Sequence, residues 1–163
     1  MFVILDLDGT IVDTTSIESL RAKKDWRGCI ANCNSTALFN DIRDVIKTIR
    51  ANEVRVGIVT NSVSYYALAL LKHHRVQYDA LICYHDTARH KPDPEPVLAA
   101  IRKMDCPNLL GWGIGDHASD CEAYRLAGIS AAGAGWNPNL STDVAWKKVI
   151  FKPKDILELV GIQ

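Results

Sequence analysis

Two aspartates stand at the end of the first apolar run of the chain, in Asp6-Leu7-Asp8-Gly9-Thr10. Three more groups of reactive side chains follow similar runs: Thr60-Asn61-Ser62, then Lys91-Pro92 after a loop, then Gly115-Asp116 with Asp120 one helical turn further on. If the groups meet, a single pocket holds four carboxylates, a hydroxyl and one ammonium. That combination is too costly to leave unpaired in a folded core. A divalent cation resolves it. Against the four negative charges of Asp6, Asp8, Asp116 and Asp120, Mg²⁺ and Lys91 supply three positive ones, and a proton on Asp8 would bring neutrality. Such a pocket accepts a phosphate. Each element also has a plainer reading: Gly9 and Thr10 closing a turn, Asp116 capping a helix, Lys91 solvated before Pro92. Those readings do not explain why carboxylates rather than serines occupy two strand ends.

The elements that must position these groups are legible as alternating patterns. Continuous apolar runs at Phe2–Leu5, Val54–Val59, Ala80–Cys83, Leu109–Ile114, Ile129–Ala132 and Val149–Phe151 read as buried strands. Helical periodicity covers roughly Ala37–Ala51, Ser62–His74, Pro94–Met104, Ser119–Ala127 and Pro153–Val160. Alternating strands and helices predict an α/β fold, a three-layer, doubly wound, mostly parallel sheet with helices on both faces. Ligands bind such sheets beyond the carboxyl ends of the strands, where the reactive groups stand. The 163 residues suffice for one well-buried core and are too few for two ordinary domains. The expectation is therefore a single domain over 1–163, with a short insertion at about 14–35 that holds one short helix near Ser16–Lys24.

Composition narrows the partners. Apolar residues make up 48% and charged residues 23%, which argues against disorder. Nineteen basic and nineteen acidic side chains cancel, so no long-range field holds a polyanion, and a nucleic-acid partner is possible but unsupported by charge. No apolar run approaches the roughly 20 residues that cross a bilayer, so no membrane span is expected. Asp6 and Asp8 leave no room for the apolar core of a secretory signal, and the five cysteines are an odd number. The expected location is cytoplasmic, with thiols reduced.

The segments DLDGT, TNS, HKPDPEP and GDHASD, in that order along nearly the whole chain, resemble the motifs of the haloacid dehalogenase superfamily. The resemblance implies that Asp6 is the nucleophile on phosphorus. Asp8 would protonate the leaving oxygen and then deprotonate the hydrolytic water. Thr60 and the backbone at Asn61 would hold phosphoryl oxygens, with Lys91 offsetting charge on nucleophile and phosphoryl group. It further implies Mg²⁺ held by the Asp6 carboxylate, the Asp8 carbonyl and the Asp116 carboxylate, with Asp120 orienting metal-bound water or Lys91. An aspartate at position 8 favours the phosphatase branch, because ion pumps carry threonine there and dehalogenases usually lack an aspartate. The implied activity is a Mg-dependent phosphomonoesterase acting on a small phosphorylated metabolite or an accessible phosphate end. A phosphotransferase or phosphomutase, or a polynucleotide 3′-phosphatase, is the alternative.

Caps in this superfamily are inserted after the first motif or after the second, and here only 14–35 is left over once core elements are assigned. A capless or minimal-cap, open site is expected, suited to a small phosphate ester, or to a partner protein or oligomer that covers it. Within the segment, Arg27 and Lys24 are candidates to meet a substrate anion, with Trp26 as a platform, although an exposed Arg-Trp pair is more often surface packing. His117, His85 and His90 flank the motifs and fit either substrate contact or capping. Cys29 and Cys33 lack a second nearby pair, so idle thiols are favoured over structural zinc.

Overall fold

The computed structural model describes residues 1–108 and 110–163. Its centre is a six-stranded parallel sheet built from β1 (Phe2–Leu5), β4 (Arg55–Val59), β5 (Ala80–Ile82), β6 (Gly111–Gly115), β7 (Ser130–Ala134) and β8 (Lys148–Ile150). The order across the sheet is β5-β4-β1-β6-β7-β8. The chain winds outward from β1 to one edge, returns, and winds to the other. The reversal falls between β1 and β6, the place where a doubly wound sheet opens a crevice at its carboxyl end. The α/β architecture expected from the sequence is the one found. Of the expected strand Leu109–Ile114, Leu109 lies outside the described residues.

Both faces of β1 are buried, which is why it reads as a continuous apolar run rather than an alternating one. Val3 and Leu5 enter one core with Val56 and Ile58, and Phe2 and Ile4 enter the other. The first core is covered by α3 (Ile42–Ala51), α4 (Ser64–His73) and α7 (Asp155–Leu159), the second by α5 (Glu95–Lys103) and α6 (Ala118–Leu126). α3 shows the cause plainly, since Ile42, Val45, Ile46 and Ile49 fall on one helical stripe and are all buried. None of the described helices is long and apolar enough to cross a membrane.

Two local expectations are corrected. Helix was expected from Ala37, but Ala37–Leu38 forms β3, antiparallel to β2 (Val12–Asp13), and the helix begins at Ile42. Pairing with the chain that leaves the Asp6–Thr10 turn overrides the helix preference of alanine and leucine. Asp41 then turns the chain through a left-handed conformation (φ 63°) before α3. In the insertion, α1 (Glu18–Ala22) is accompanied by a second helix, α2 (Trp26–Ala31), where only irregular chain was expected. Gly28, a poor helix former, serves the cap of α2: the Asp25 carboxylate accepts from Gly28 N at 2.9 Å, in space a Cβ at 28 would occupy. α2 docks on α4 through the Trp26 and Tyr66 rings, whose centroids are 5.3 Å apart.

Close approach of α6 to the sheet requires Gly113, where an added Cβ would collide with the Tyr124 ring. Gly113→Ala is expected to cost about 2 kcal/mol through overpacking, a fall in Tm of roughly 4–8 °C for a chain of this size. A melting curve checks it, and an unchanged Tm would contradict this packing of Tyr124.

Candidate active site

The floor of the site is a buried ion cluster. Asp6 leaves the end of β1, and Lys91, from the loop ahead of α5, places its Nζ 2.6 Å from Asp6 Oδ1 and 2.6 Å from Asp120 Oδ1. The third Nζ proton goes to the Val59 carbonyl at 2.8 Å, so all three ammonium donors are spent inside the protein. Burial works against the charge on Lys91 more than any other single influence, but Asp120 and Asp6 together outweigh it and raise its pKa. Asp120 caps its own helix as well, its Oδ2 accepting from His117 N at 3.0 Å. Both Asp120 oxygens are therefore committed. Asp6 Oδ2 has no hydrogen bond among the described residues.

Asp116, at the end of β6, faces Asp6 across the crevice. Its Oδ1 accepts from the Thr10 hydroxyl and its Oδ2 from the Asn137 amide, both at 3.0 Å. Asn137 also donates to Gly9 O at 2.8 Å, which ties the turn after β1 to the loop after β7. Gly9 is required here, with φ +88° and a Cβ position that would strike Asp116 and Asn137. Burial, joined by Asp120, pushes the Asp116 pKa up to about 6, against the opposing pull of Thr10 and Lys91. Burial likewise drives Asp6 well above the usual carboxylate range, since Asp120 and Asp116 add to it and Lys91 only partly offsets it. Oxygens of Asp6, Asp116 and Asp120 lie within 4.8 Å of one another. This set of hard oxygen donors, disfavoured as bare anions, fits a small divalent cation. Asp6 keeps one oxygen without a hydrogen bond and Asp116 has only neutral donors, so these two suit the cation, whereas Asp120 is engaged by the Lys91 ammonium and a backbone N–H.

Asp8 points to the other side. Ser62 Oγ donates to its Oδ2 at 2.8 Å, and Tyr66 OH donates to its Oδ1 at 2.6 Å. Burial, followed by the Asp8 charge, raises the Tyr66 pKa, which keeps the phenol a donor. Arg21, from α1, brings its Nε to 3.2 Å from Asp8 Oδ1. That N–H is out of line for a hydrogen bond, and Nε is a buried nitrogen with no partner among the described residues. Arg21 was missed from the sequence, and it changes the charge count: with Lys91 it leaves the four carboxylates short by two positive charges, which one divalent cation supplies without a proton on Asp8.

The second motif closes the site. Thr60 is buried, and its Oγ1 accepts from Ser62 N at 3.0 Å, leaving its own proton to donate. The Asn61 side chain clasps the Lys91 backbone in both directions (2.9 and 3.1 Å), while the Asn61 N–H has no hydrogen bond among the described residues. A cavity of about 390 Å³ opens over this edge, lined by Asp8, Gly9, Asp116 and Asn137 from the core and by Thr14, Glu18 and Arg21 from the insertion.

Asp6, Asp8, Thr60, Asn61, Lys91, Asp116 and Asp120 are thus brought together by four strand ends, as the sequence spacing implied. Arg27 is not among them: it is exposed on α2 and does not line the cavity, and neither does Lys24. His117 does line it, while His90 stacks on Tyr84. Cys29 is buried, and burial raises its thiol pKa. Sequence reasoning missed Arg21, Tyr66 and Asn137. Asn137 carried a weak signal, since it lies in the loop three residues past β7, at the same sheet edge as Asp6, Thr60 and Asp116.

Comparison with known proteins agrees with this geometry. Residues 18–134 match the family described as haloacid dehalogenase-like hydrolase. Phosphoglycolate phosphatase of Escherichia coli K12 is 26% identical over 132 residues, which cover 78% of this chain and 52% of that protein. The chain spans about half the length of the curated relatives it matches. Among solved structures, a HAD phosphatase from Thermococcus onnurineus superposes with a TM-score of 0.82 at 17% identity, covering 98% of this chain and 97% of that one. CbbY from Rhodobacter sphaeroides, solved in complex with phosphate, gives 0.77 at 15% identity, covering 94% and 95%. The motifs, the sheet and the family match lead to one assignment: this chain belongs to the haloacid dehalogenase-like hydrolases.

Proposed function

We propose that the protein is a Mg²⁺-dependent phosphomonoesterase that works through an aspartyl-phosphate on Asp6. The observation that carries this reading is the state of Asp6, with one oxygen pinned by Lys91 at 2.6 Å and the other without a hydrogen bond among the described residues, within 4.8 Å of Asp116 and Asp120 oxygens. Phosphatases among its relatives support the reaction class. A small phosphate ester is the substrate class, a cytoplasmic location suits the five free cysteines, and the chain acts as a single domain.

The chain's own residues divide the work. Lys91 holds Asp6 for in-line attack on phosphorus, and the bond from phosphorus to the leaving oxygen breaks as the bond to Asp6 forms. Asp8 gives that leaving oxygen a proton, which it takes up as the negative charge of the phosphate enters the site. To do so it exchanges one of its contacts with Ser62, Tyr66 or Arg21 for the substrate. Asp8 then takes a proton from water as the water attacks phosphorus, which frees inorganic phosphate and restores Asp6. The Thr60 hydroxyl and the Asn61 N–H donate to the phosphoryl oxygens. Asp6, Asp116 and the Asp8 carbonyl would hold Mg²⁺, which when bound supplies positive charge against the phosphoryl group. Asp120 acts through Lys91 and His117 rather than on the substrate.

Asp6→Asn should retain the fold and lose more than about a thousandfold in kcat, as expected when a covalent nucleophile becomes an amide. Phosphate release from p-nitrophenyl phosphate, with a circular dichroism spectrum as control, tests this, and substantial residual turnover would end the aspartyl-phosphate reading. Ca²⁺ should bind but support little turnover, since it accepts 6–8 oxygens and tends to draw both oxygens of a carboxylate. Equal rates with Mg²⁺ and Ca²⁺ would contradict that.

A third expectation concerns pH. The folded pKa of Asp116, about 6, lies above its unfolded value, so its stabilising contribution in the metal-free protein is complete in acid and is lost as pH rises through about 6. Mg²⁺ should restore it where it has been lost. Saturating Mg²⁺, worth about 2.7 kcal/mol at a hundredfold excess over Kd, should therefore raise Tm more near pH 7.5 than near pH 5. Equal shifts at both would mean that the cation does not bind at Asp116.

A further inference from the structure

The zero net charge of the chain conceals a segregated surface. Arg43, Lys47 and Arg50 recur at helical spacing along α3, where residues four apart are neighbours. Two cavities open beside them. The smaller, about 350 Å³, is lined by Arg43, Asp44, Lys47, Arg75 and Gln77, and the larger, about 650 Å³, by Lys47, Arg50, Arg55, Gln77 and Asp79. Because Lys47 and Gln77 line both, the two form one trough. Its charges are unevenly spent. Asp79 pairs with Arg50 at 3.0 Å and with Arg55 at 3.5 Å, and Gln77 Oε1 accepts from Arg50 Nη1 at 3.0 Å, which leaves the Gln77 amide N–H groups to donate. Arg43, Lys47 and Arg75 are exposed and make no ion pair among the described residues. Nor is Arg75 needed to cap α4, since the N–H groups of His74, Arg75 and Val76 already return to its last carbonyls. Burial, followed by the charges of His73 and Arg43, lowers the pKa of His74, so the positive potential of this face extends to the end of α4.

We propose that the trough between α3 and the turn after α4 is a second anion site, which takes the two neighbouring phosphate groups of a diphosphate through Arg43, Lys47, Arg75 and Gln77. Three unpaired cations face the single acid Asp44 in the smaller cavity, a surplus that one phosphate group only partly offsets. The two guanidinium groups present donor forks that match phosphate oxygens, and Lys47 and Gln77, common to both cavities, stand where two adjoining phosphate groups meet. Ile46 is the one apolar side chain of the smaller cavity, so the ligand is held by its charge and not by its organic part. None of these residues lines the active-site cavity. The second site is therefore independent of the reaction assigned to Asp6.

Methylenediphosphonate, whose bridging carbon resists hydrolysis, is the probe, titrated into the full chain with Mg²⁺ present and followed by NMR. The His74 imidazole resonances should shift to saturation, while those of His117, which lines the catalytic cavity, report separately on that cavity. Methylphosphonate, with one phosphonate, and malonate, with two carboxylates, should bind the His74 site at least about tenfold more weakly. Lys47→Gln and Arg75→Gln should each weaken binding at least about fivefold, whereas Asp44→Asn should strengthen it about twofold. Hydrolysis of p-nitrophenyl phosphate should be unchanged in all three. A variant that melts far below the wild type is replaced by Arg43→Gln, judged by the same shift. A response at His117 alone, equal affinity for malonate, or unchanged affinity in the Lys47 and Arg75 variants overturns the proposal, because these cations would then be ordinary solvated surface charges.

Discussion

The ion cluster of Lys91 with Asp6 and Asp120 is the contact on which the rest of the structure depends. Each member sits on a different element, and the Val59 carbonyl adds a fourth, so the ends of β1 and β4, the loop before α5 and the start of α6 converge on one nitrogen. A buried ammonium is tolerable only if each of its donors is used and opposite charge lies close. Both conditions are met. Removing one partner from such a cluster strands the others in a low-dielectric interior, which typically costs about 3–5 kcal/mol. The geometry that poises the proposed nucleophile is for the same reason part of what holds the sheet edge together.

The four carboxylates differ in character because their surroundings differ. Asp120 is saturated by Lys91 and a backbone N–H and behaves as scaffold. Asp116 has neutral donors on both oxygens, which orient it without cancelling its charge. Asp6 has one oxygen paired and one open, while Asp8 is set apart against two hydroxyls and a guanidinium. Identical side chains are thus fitted to the proposed roles of nucleophile, proton carrier, cation ligand and support by what donates to them, which sequence spacing alone does not encode.

That limit explains which parts were legible. The sheet and its site edge could be read because a strand buried on both faces leaves a run such as Phe2–Leu5, and the residue that ends the run must lie at the carboxyl edge. Asp6, Thr60 and Asp116 follow from that rule directly, whereas Asn137 stands three residues past the end of β7 and is only loosely marked by it. Tyr66 and Arg21 do not follow. Tyr66 lies on the buried stripe of α4, where its ring reads as core and its hydroxyl leaves no trace in the pattern. Arg21 looks like any helix cation until the docking of α1 is known. Ala37–Leu38 went astray for a related reason, because a two-residue antiparallel pair is a long-range choice that local propensity opposes.

These misread residues share a location, and the location has a consequence. Trp26 on α2 packs against the Tyr66 ring, and the Tyr66 hydroxyl holds Asp8 Oδ1, to which Arg21 on α1 also lends charge. The insertion therefore reaches the proposed proton carrier by two routes, one through packing and one through charge. A segment joined to the core only by its chain ends could vary freely in sequence without touching the chemistry. One that grips Asp8 cannot, because a shift of α1 or α2 moves the donors on which the Asp8 rotamer depends. A small insertion docked in this way trades the mobility of a closing lid for fixed placement of the proposed proton-transfer group, with Thr14, Glu18 and Arg21 left to line the cavity mouth.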